Sequence, residues 1–289
     1  MDVLRSQGVW FPGDTLAYEL ASPDPAELQE AFATSVMPGH TIVGLEGSLS
    51  ALVEPNQPPK GYAFIDINDT VADLWGAMHM LEHAVIPPPQ ERANNHDYGE
   101  DMVTFTNANT EHKAQLYPLI RGSETGILPV DGIEDIQRVV ASWRAEGIYV
   151  AFVSSQTAGS ELHTVRNFIG RYFAGNCDGL VIPDGHYLVA DKGAGARRVM
   201  ERWGYNEHTP VLGIDDIPSH TAKLRATLQA LEPQPNVITI QPELNSHMGA
   251  DDDSIHAENS RHAFDLGTEF FAYHLGKTVL NTDDFALKL

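Results

Sequence analysis

Cysteine is almost missing from this chain: Cys177 stands alone among 289 residues. That excludes an intrachain disulfide framework and a cysteine-rich zinc site, and it fits a reducing, cytoplasmic setting. Basic residues are scarce as well, with 18 Lys and Arg against 40 Asp and Glu, a net charge of −22. Binding to duplex nucleic acid draws on a basic surface that neutralises phosphates. The charge balance therefore argues against a duplex partner, although Arg197, Arg198 and Arg202 lie close together. No apolar run reaches the roughly 20 residues that span a bilayer, so no membrane partner is expected. The opening residues, MDVLRSQGVWFPGD, have no long apolar stretch of the secretory-signal kind. What is present reads as globular: 42% of residues are hydrophobic, with Gly and Pro spread along the chain. The length allows one large domain, or a core with a smaller cap.

Strand and helix patterns alternate over most of the chain. Apolar strands are predicted at 62–65, 148–154, 179–183, 210–214 and 236–240. Helical spacing is predicted over 71–85, 133–146, 160–174, 192–203, 219–231 and 260–275, with Gly147 placed to end the second of these. Before the first core strand, Pro25 to Thr34 reads as a helix capped by Asp24. Thr41 to Val53 reads as a hairpin, and the Pro-rich PNQPPKG as a linker. Polar residues dominate 90–113, a stretch too long for an ordinary loop. The expected organisation is an N-terminal extension over 1–59, a core over 60–242 interrupted by an insertion over 70–130, and a C-terminal extension over 243–289. The alternation predicts a doubly wound, Rossmann-like α/β fold on a parallel sheet, with right-handed crossovers.

Four segments carry the chemistry. YAFIDINDT places Asp66, Asn68 and Asp69 after a buried strand; IYVAFVSSQ ends in Ser154 and Ser155; DKGAGARRVMERWG begins a helix with Lys192; VLGIDDIPSH ends a strand with Asp215 and Asp216. In an open parallel sheet the carboxyl ends of the strands share one edge, where ligands bind. A carboxylate, a hydroxyl, a lysine and a carboxylate pair can therefore meet in one crevice. In this order the four segments resemble the haloacid dehalogenase superfamily, mostly Mg²⁺-dependent phosphohydrolases, over roughly Tyr62 to Pro242. The resemblance implies Asp66 as the nucleophile that takes the phosphoryl group. It implies Ser154, with Ser155 beside it, as phosphate binders and Lys192 as the neutralising cation. Mg²⁺ would be held by Asp66, Asp215, Asp216 and the backbone carbonyl of Asn68. The insertion would be a mainly helical cap that selects the substrate, a phosphorylated small molecule or a nucleotide, or a nucleic-acid end. Asp216 has a second reading, as a cap for the helix after Pro218.

The chain departs from the family at Asn68, where the pattern has a second aspartate. That aspartate protonates the leaving group and then deprotonates the attacking water, and an asparagine transfers no proton. General acid–base catalysis contributes roughly 10²–10⁴-fold. The departure leaves three readings: a slow enzyme suited to good leaving groups, an enzyme whose proton work falls to Asp69 or a cap histidine, and a catalytically degenerate binding or structural protein on the same fold. Weaker patterns compete. His79, Glu82 and His83 fit H-x-x-E-H, a zinc pattern, but the chain has 13 histidines and chance accounts for the match. Gly193-Ala194-Gly195 echoes a dinucleotide loop with Arg198 where the third glycine belongs. A receiver domain also uses Asp, a hydroxyl and Lys, with the acidic pair first rather than last. The tail histidines, His247, His256, His262 and His274, read as packed or surface residues.

Overall fold

The computed structural model describes residues 41–42, 48–73, 128–154, 168–183, 191–243 and 251–276. Ten strands are found there: β1 (Thr41–Ile42), β2 (Ser48–Leu52), β3 (Gly61–Ile65), β4 (Ala72–Asp73), β5 (Leu128–Pro129), β6 (Ile148–Val153), β7 (Gly179–Pro183), β8 (Pro210–Ile214), β9 (Asn236–Pro242) and β10 (Ile255–Ala257). The longer helices are α1 (Ile133–Ala145), α2 (Lys192–Trp203), α3 (Pro218–Gln229) and α4 (Ser260–His274). Residues 168–173 are helical as well.

The main sheet has the order β1-β2-β7-β6-β3-β8-β9-β10. From β7 to β10 every pairing is parallel; β2 joins β7 antiparallel, and β1 joins β2 antiparallel. The chain thus winds outward from β3 through β6 to β7, returns past β3, and winds the other way through β8, β9 and β10. That reversal makes the junction of β3 with β8 the topological switch point, where a doubly wound sheet opens a crevice.

Each parallel strand is apolar throughout because both of its sides are covered. Ala63, Ile65, Val150, Phe152, Leu212, Ile214, Ile238 and Ile240 face α1 and α4, where Trp143 stacks on Phe264 at 5.5 Å and meets Phe271 edge-on at 5.3 Å. Their neighbours in sequence, Tyr62, Phe64, Tyr149, Ala151, Val153 and Val211, face α2 and α3 and pack on Val199, Met200, Leu224 and Leu228. Helix α1 ends as its sequence predicts, with Gly147 in the left-handed region (φ 91°) and its N–H on the Arg144 carbonyl.

The hairpin expected in 41–53 is present, and it extends the main sheet. In the same way β10 extends the far side, so strands from both segments read as extensions belong to one sheet with the core. One expectation fails locally. The pattern from Val71 predicts a helix, but the carbonyl of Ile67 takes the N–H groups of Val71 and Ala72 (3.0 and 2.8 Å), and Asp69 adopts a left-handed conformation (φ 55°). Ala72 and Asp73 then pair with Pro129 and Leu128. Strand pairing across the neck of the insertion outweighs the local helical pattern. The rest of the predicted helix, the remainder of the expected cap and His79, Glu82 and His83 lie outside the described residues, as do the predicted helix at 25–34, Ser155 and His247.

Candidate active site

Three strands stop level with one another. Ile65 pairs with Phe152 on one side and with Ile214 on the other. Asp66 directly follows Ile65, Asp215 directly follows Ile214, and Ser154 lies two residues beyond Phe152. Backbone bonds continue the sheet across this edge: Asp66 N–H to the Ile214 carbonyl (2.8 Å), Asp215 N–H to the Ile240 carbonyl (3.3 Å), and Ser154 N–H to the Val181 carbonyl (3.0 Å). The residues that carry the carboxylates are therefore held by the sheet's own backbone hydrogen bonds.

Lys192 enters from α2. Asp191 caps that helix, its side chain accepting from the Ala194 N–H at 3.1 Å, and Lys192 is the first helical residue. Both burial and a helix N-terminus disfavour a cation. Two carboxylates offset them: Lys192 Nζ donates to Asp66 Oδ1 at 2.7 Å and to Asp215 Oδ2 at 2.6 Å. All three side chains are about 95% buried or more, at 5%, 6% and 1% exposure. Burial would lower the lysine, but the two carboxylates win and hold it above its usual range. Asp215 is held low because Lys192, helped by His220, outweighs burial. Asp66 is pushed up to about 6, since burial and the nearby Asp215 charge outweigh Lys192. Asp216 is pushed far up by burial and then by Asp215, Asp69 and Asp66.

Asp66, Asp215 and Asp216 each offer an oxygen within 4.8 Å of the others, and among the described residues they are the group able to hold a metal ion. Such an all-oxygen, hard donor set suits Mg²⁺ and disfavours soft transition metals. One lysine does not neutralise three buried carboxylates, so a cation fits the cluster electrostatically as well. Asn68 lies on the loop below, bridged to Ala72, and its side-chain oxygen is buried without a hydrogen-bond donor. A buried acceptor left unpaired costs roughly 1–3 kcal/mol, so this oxygen adds nothing to stability through a hydrogen bond within the described residues.

The turn after β8 shows which aspartate folds back on the start of α3. The residue preceding α3 is Ile217, which makes no side-chain cap, and it is Asp215 that folds back, its Oδ1 accepting the Ile217 N–H at 3.0 Å. Asp216 keeps its place in the acidic cluster, with a carboxylate oxygen within 4.8 Å of those of Asp66 and Asp215. His220, in the first turn of α3, was not singled out from sequence. Its Nδ1 lies 3.4 Å from Asp215 Oδ1, at ion-pair distance though not aligned as a hydrogen bond, and its side chain is 30% exposed. The signal was present in VLGIDDIPSH, where helical spacing after Pro218 turns the histidine back toward the aspartates.

The competing patterns are explained otherwise. Gly193 and Gly195 lie inside the first turn of α2, and a Cβ on Gly193 would come within 2.8 Å of Thr227 Cβ, so that glycine serves the close packing of α2 on α3. His256 contacts the Asp251 carbonyl at 3.2 Å, and His274 packs its ring on Phe270 at 4.6 Å. Arg197 pairs with Glu201 at 2.7 Å and Arg202 lies over Trp203.

No family model matches the chain, and no curated protein matches it. Solved structures similar to it in part include a Had-superfamily hydrolase from Ehrlichia chaffeensis (11% identity, 75% of this chain and 100% of that one, TM-score 0.46). A haloacid dehalogenase-like family hydrolase from Streptococcus pneumoniae is similar at 13% identity over 74% of this chain and 97% of that one, TM-score 0.43. The phosphoserine phosphatase from T. onnurineus is similar at 13% identity over 74% and 96%, TM-score 0.39. Among the described residues no helix is long and apolar enough to cross a membrane.

Proposed function

We propose that the chain is a Mg²⁺-dependent phosphohydrolase of the haloacid dehalogenase type, acting through an aspartyl-phosphate on a phosphorylated small molecule or a nucleotide. The observation that carries this reading is the buried ion-pair triad at the switch point. Lys192 lies 2.7 Å from Asp66 and 2.6 Å from Asp215, with Asp216 in the same cluster. A buried lysine shared by two aspartates is a costly way to hold a fold together, and strongly perturbed groups in a crevice mark sites of chemistry.

In this reading Asp66 is the nucleophile. Its carboxylate oxygen attacks phosphorus, the bond from phosphorus to the ester oxygen breaks with its electron pair going to that oxygen, and the alkoxide or phenoxide departs to take its proton from solvent. Water then attacks the phosphorus of the aspartyl-phosphate, the bond to Asp66 breaks, and inorganic phosphate leaves with the carboxylate restored. Lys192 neutralises the nucleophile and the phosphoryl oxygens, and Ser154, with Ser155, hydrogen-bonds the phosphate. Asp66, Asp215, Asp216 and the carbonyl of Asn68 would hold Mg²⁺, which when bound supplies charge neutralisation for the transferring group. Asp66 must be ionised to attack, and without a metal its burial and the nearby Asp215 charge push it up to about 6. Asn68 moves no proton, which favours esters whose leaving group departs without one. We read the insertion between β4 and β5 as the substrate-selecting cap; the strands that flank it pair, Ala72 with Pro129 and Asp73 with Leu128.

A second reading, a phosphate- and metal-binding protein without turnover, rests on Asn68 alone. Both are tested by Mg²⁺-dependent phosphate release from an aryl phosphate and a nucleotide panel, beside Mg²⁺-dependent capture of beryllofluoride. Release that disappears in Asp66→Asn supports the enzyme. Capture without release supports the binding protein, and neither capture nor release refutes both.

A further inference from the structure

The acidic pair after β8 is tied to a second, distant ionic cluster. Gln241 is buried on β9 at 3% exposure. Its Nε2 donates to the backbone carbonyl of Asp216 at 3.2 Å, and its Oε1 accepts the backbone N–H of Asp251 at 3.1 Å. Asp251 in turn is saturated by its own chain. Arg225 of α3 binds it through both guanidinium nitrogens, at 2.7 Å to Oδ2 and 3.0 Å to Oδ1. Ser254 Oγ donates to Oδ2 at 2.7 Å, and Thr221 Oγ1 shares its proton between the same oxygen and the Pro218 carbonyl. Arg225 also reaches Thr239 of β9 at 2.9 Å.

The pair is almost dry, with side chains 11% and 9% exposed. Buried ion pairs of this kind add little net stability over an apolar core. What they add is direction, because both Asp251 oxygens accept from Arg225 and Oδ2 also accepts from Ser254 and Thr221. Two branches run from Asp251 to the acidic pair. One passes through Gln241 to the carbonyl of Asp216. The other passes through Thr221 to the first turn of α3, which begins at Pro218 just after Ile217, the residue whose N–H holds Asp215 Oδ1.

We propose that Gln241, Asp251 and Arg225 form a positioning relay that fixes Asp215 and Asp216 at the spacing the metal site requires. The inference rests on the proposed metal site. None of the three touches the ion or substrate; they act through the backbone of the β8–α3 turn. Outer partners of metal ligands typically change affinity by roughly 10–100-fold when lost, and residues acting through one path do not add.

The test is Mg²⁺ affinity by titration calorimetry on the full chain, with thermal unfolding alongside, for wild type, Gln241→Met, Asp251→Asn and the double variant. Each single variant is expected to bind Mg²⁺ about tenfold more weakly. The double variant is expected to lose about tenfold in total, no more than either single variant, and not about a hundredfold, because both lie on one path. Unchanged Mg²⁺ affinity in folded variants, or fully additive losses, overturns the relay while leaving the metal site intact. A wild type that binds no Mg²⁺ overturns the metal site and the relay together. Should Asp251→Asn fail to fold, Ser254→Ala, which removes one donor to the same carboxylate, takes its place in the cycle with the same expectations.

Discussion

Replacing Lys192 by methionine tests the electrostatics of the site without any assumption about substrate. Methionine keeps much of the volume and removes the charge. In the metal-free wild type, Asp66 and Asp215 share one ammonium at 2.7 and 2.6 Å in a space all but closed to water. Taking that ammonium away leaves two buried carboxylates facing each other, with Asp216 beside them. Removing one partner of a buried ion pair costs about 3–5 kcal/mol, so a loss of that size is expected at pH 8. The loss must depend on pH. Without the lysine, the folded-state values of Asp66 and Asp215 both rise above the ordinary carboxylate range. The folded protein then binds more protons than the unfolded chain above about pH 4, and stability falls as pH rises. Lowering the pH to 5 therefore restores part of what is lost at pH 8.

The assay is denaturant unfolding at pH 5 and pH 8, without added metal, for wild type and Lys192→Met. Arg197→Met serves as the control, because the Arg197–Glu201 pair is half exposed (49% and 44%) and exposed pairs contribute little. A deficit in Lys192→Met that is the same at both pH values, or below about 1 kcal/mol at pH 8, would refute the coupling of Lys192 to the two aspartates.

The metal-free wild type should itself lose stability as pH climbs from about 4 to about 6, because Asp66 is raised to about 6 and the folded state holds its proton longer. A shift of about two pH units corresponds to roughly 3 kcal/mol at full effect, read by unfolding between pH 4.5 and 8, and added Mg²⁺ should recover more of it at pH 8 than at pH 5. Gly193→Ala places a methyl group 2.8 Å from Thr227 Cβ; overpacking of that kind costs about 1–3 kcal/mol, seen as a lower urea midpoint. Asn68→Asp should raise phosphate release by roughly 10²–10⁴-fold if proton transfer is what the wild type lacks, most strongly for alkyl esters and least for aryl esters.

Much of this architecture is legible in the amino-acid sequence for a physical reason. A parallel sheet covered on both sides needs strands that are apolar throughout, so GYAFI, IYVAFV and PVLGI stand out as short runs, and each ends abruptly where the sheet meets its crevice. The helices between them repeat at their own period, and Gly147 ends one of them with a positive φ. Because polar residues at strand ends share one edge, the order Asp66, Ser154, Lys192, Asp215 and Asp216 foretells a common location for groups far apart in the chain. Other features have no local signature. Ala72 and Asp73 form a strand only because Leu128 and Pro129 come back to meet them, more than fifty residues later. Gln241 sits on a strand, Arg225 on a helix and Asp251 on the segment before β10, and no spacing in the chain announces their hydrogen bonds. Asp69 departs from the extended backbone that would have turned it away from Asp66, and it contributes to the rise of Asp216.

The acidity of the chain and the chemistry of the site pull in opposite directions, and distance decides between them. A net charge of −22 repels a phosphate ester at long range, but salt screens that repulsion beyond roughly 8 Å at physiological ionic strength. Inside the crevice the count is local. Asp66, Asp215 and Asp216 bring three carboxylates, and Lys192 returns one positive charge. With all of them ionised the cluster is anionic by two, and a phosphate dianion would find no partner there. Asp66, Asp215 and Asp216 would hold a divalent cation there, which would bring the cluster to neutrality and favour the ionised forms of Asp66 and Asp216. In the proposed reading, cation binding would therefore precede phosphate binding and favour the ionised form of Asp66. The surface acidity would then act only at long range, because the charges that would meet a phosphate lie within a few ångströms of it.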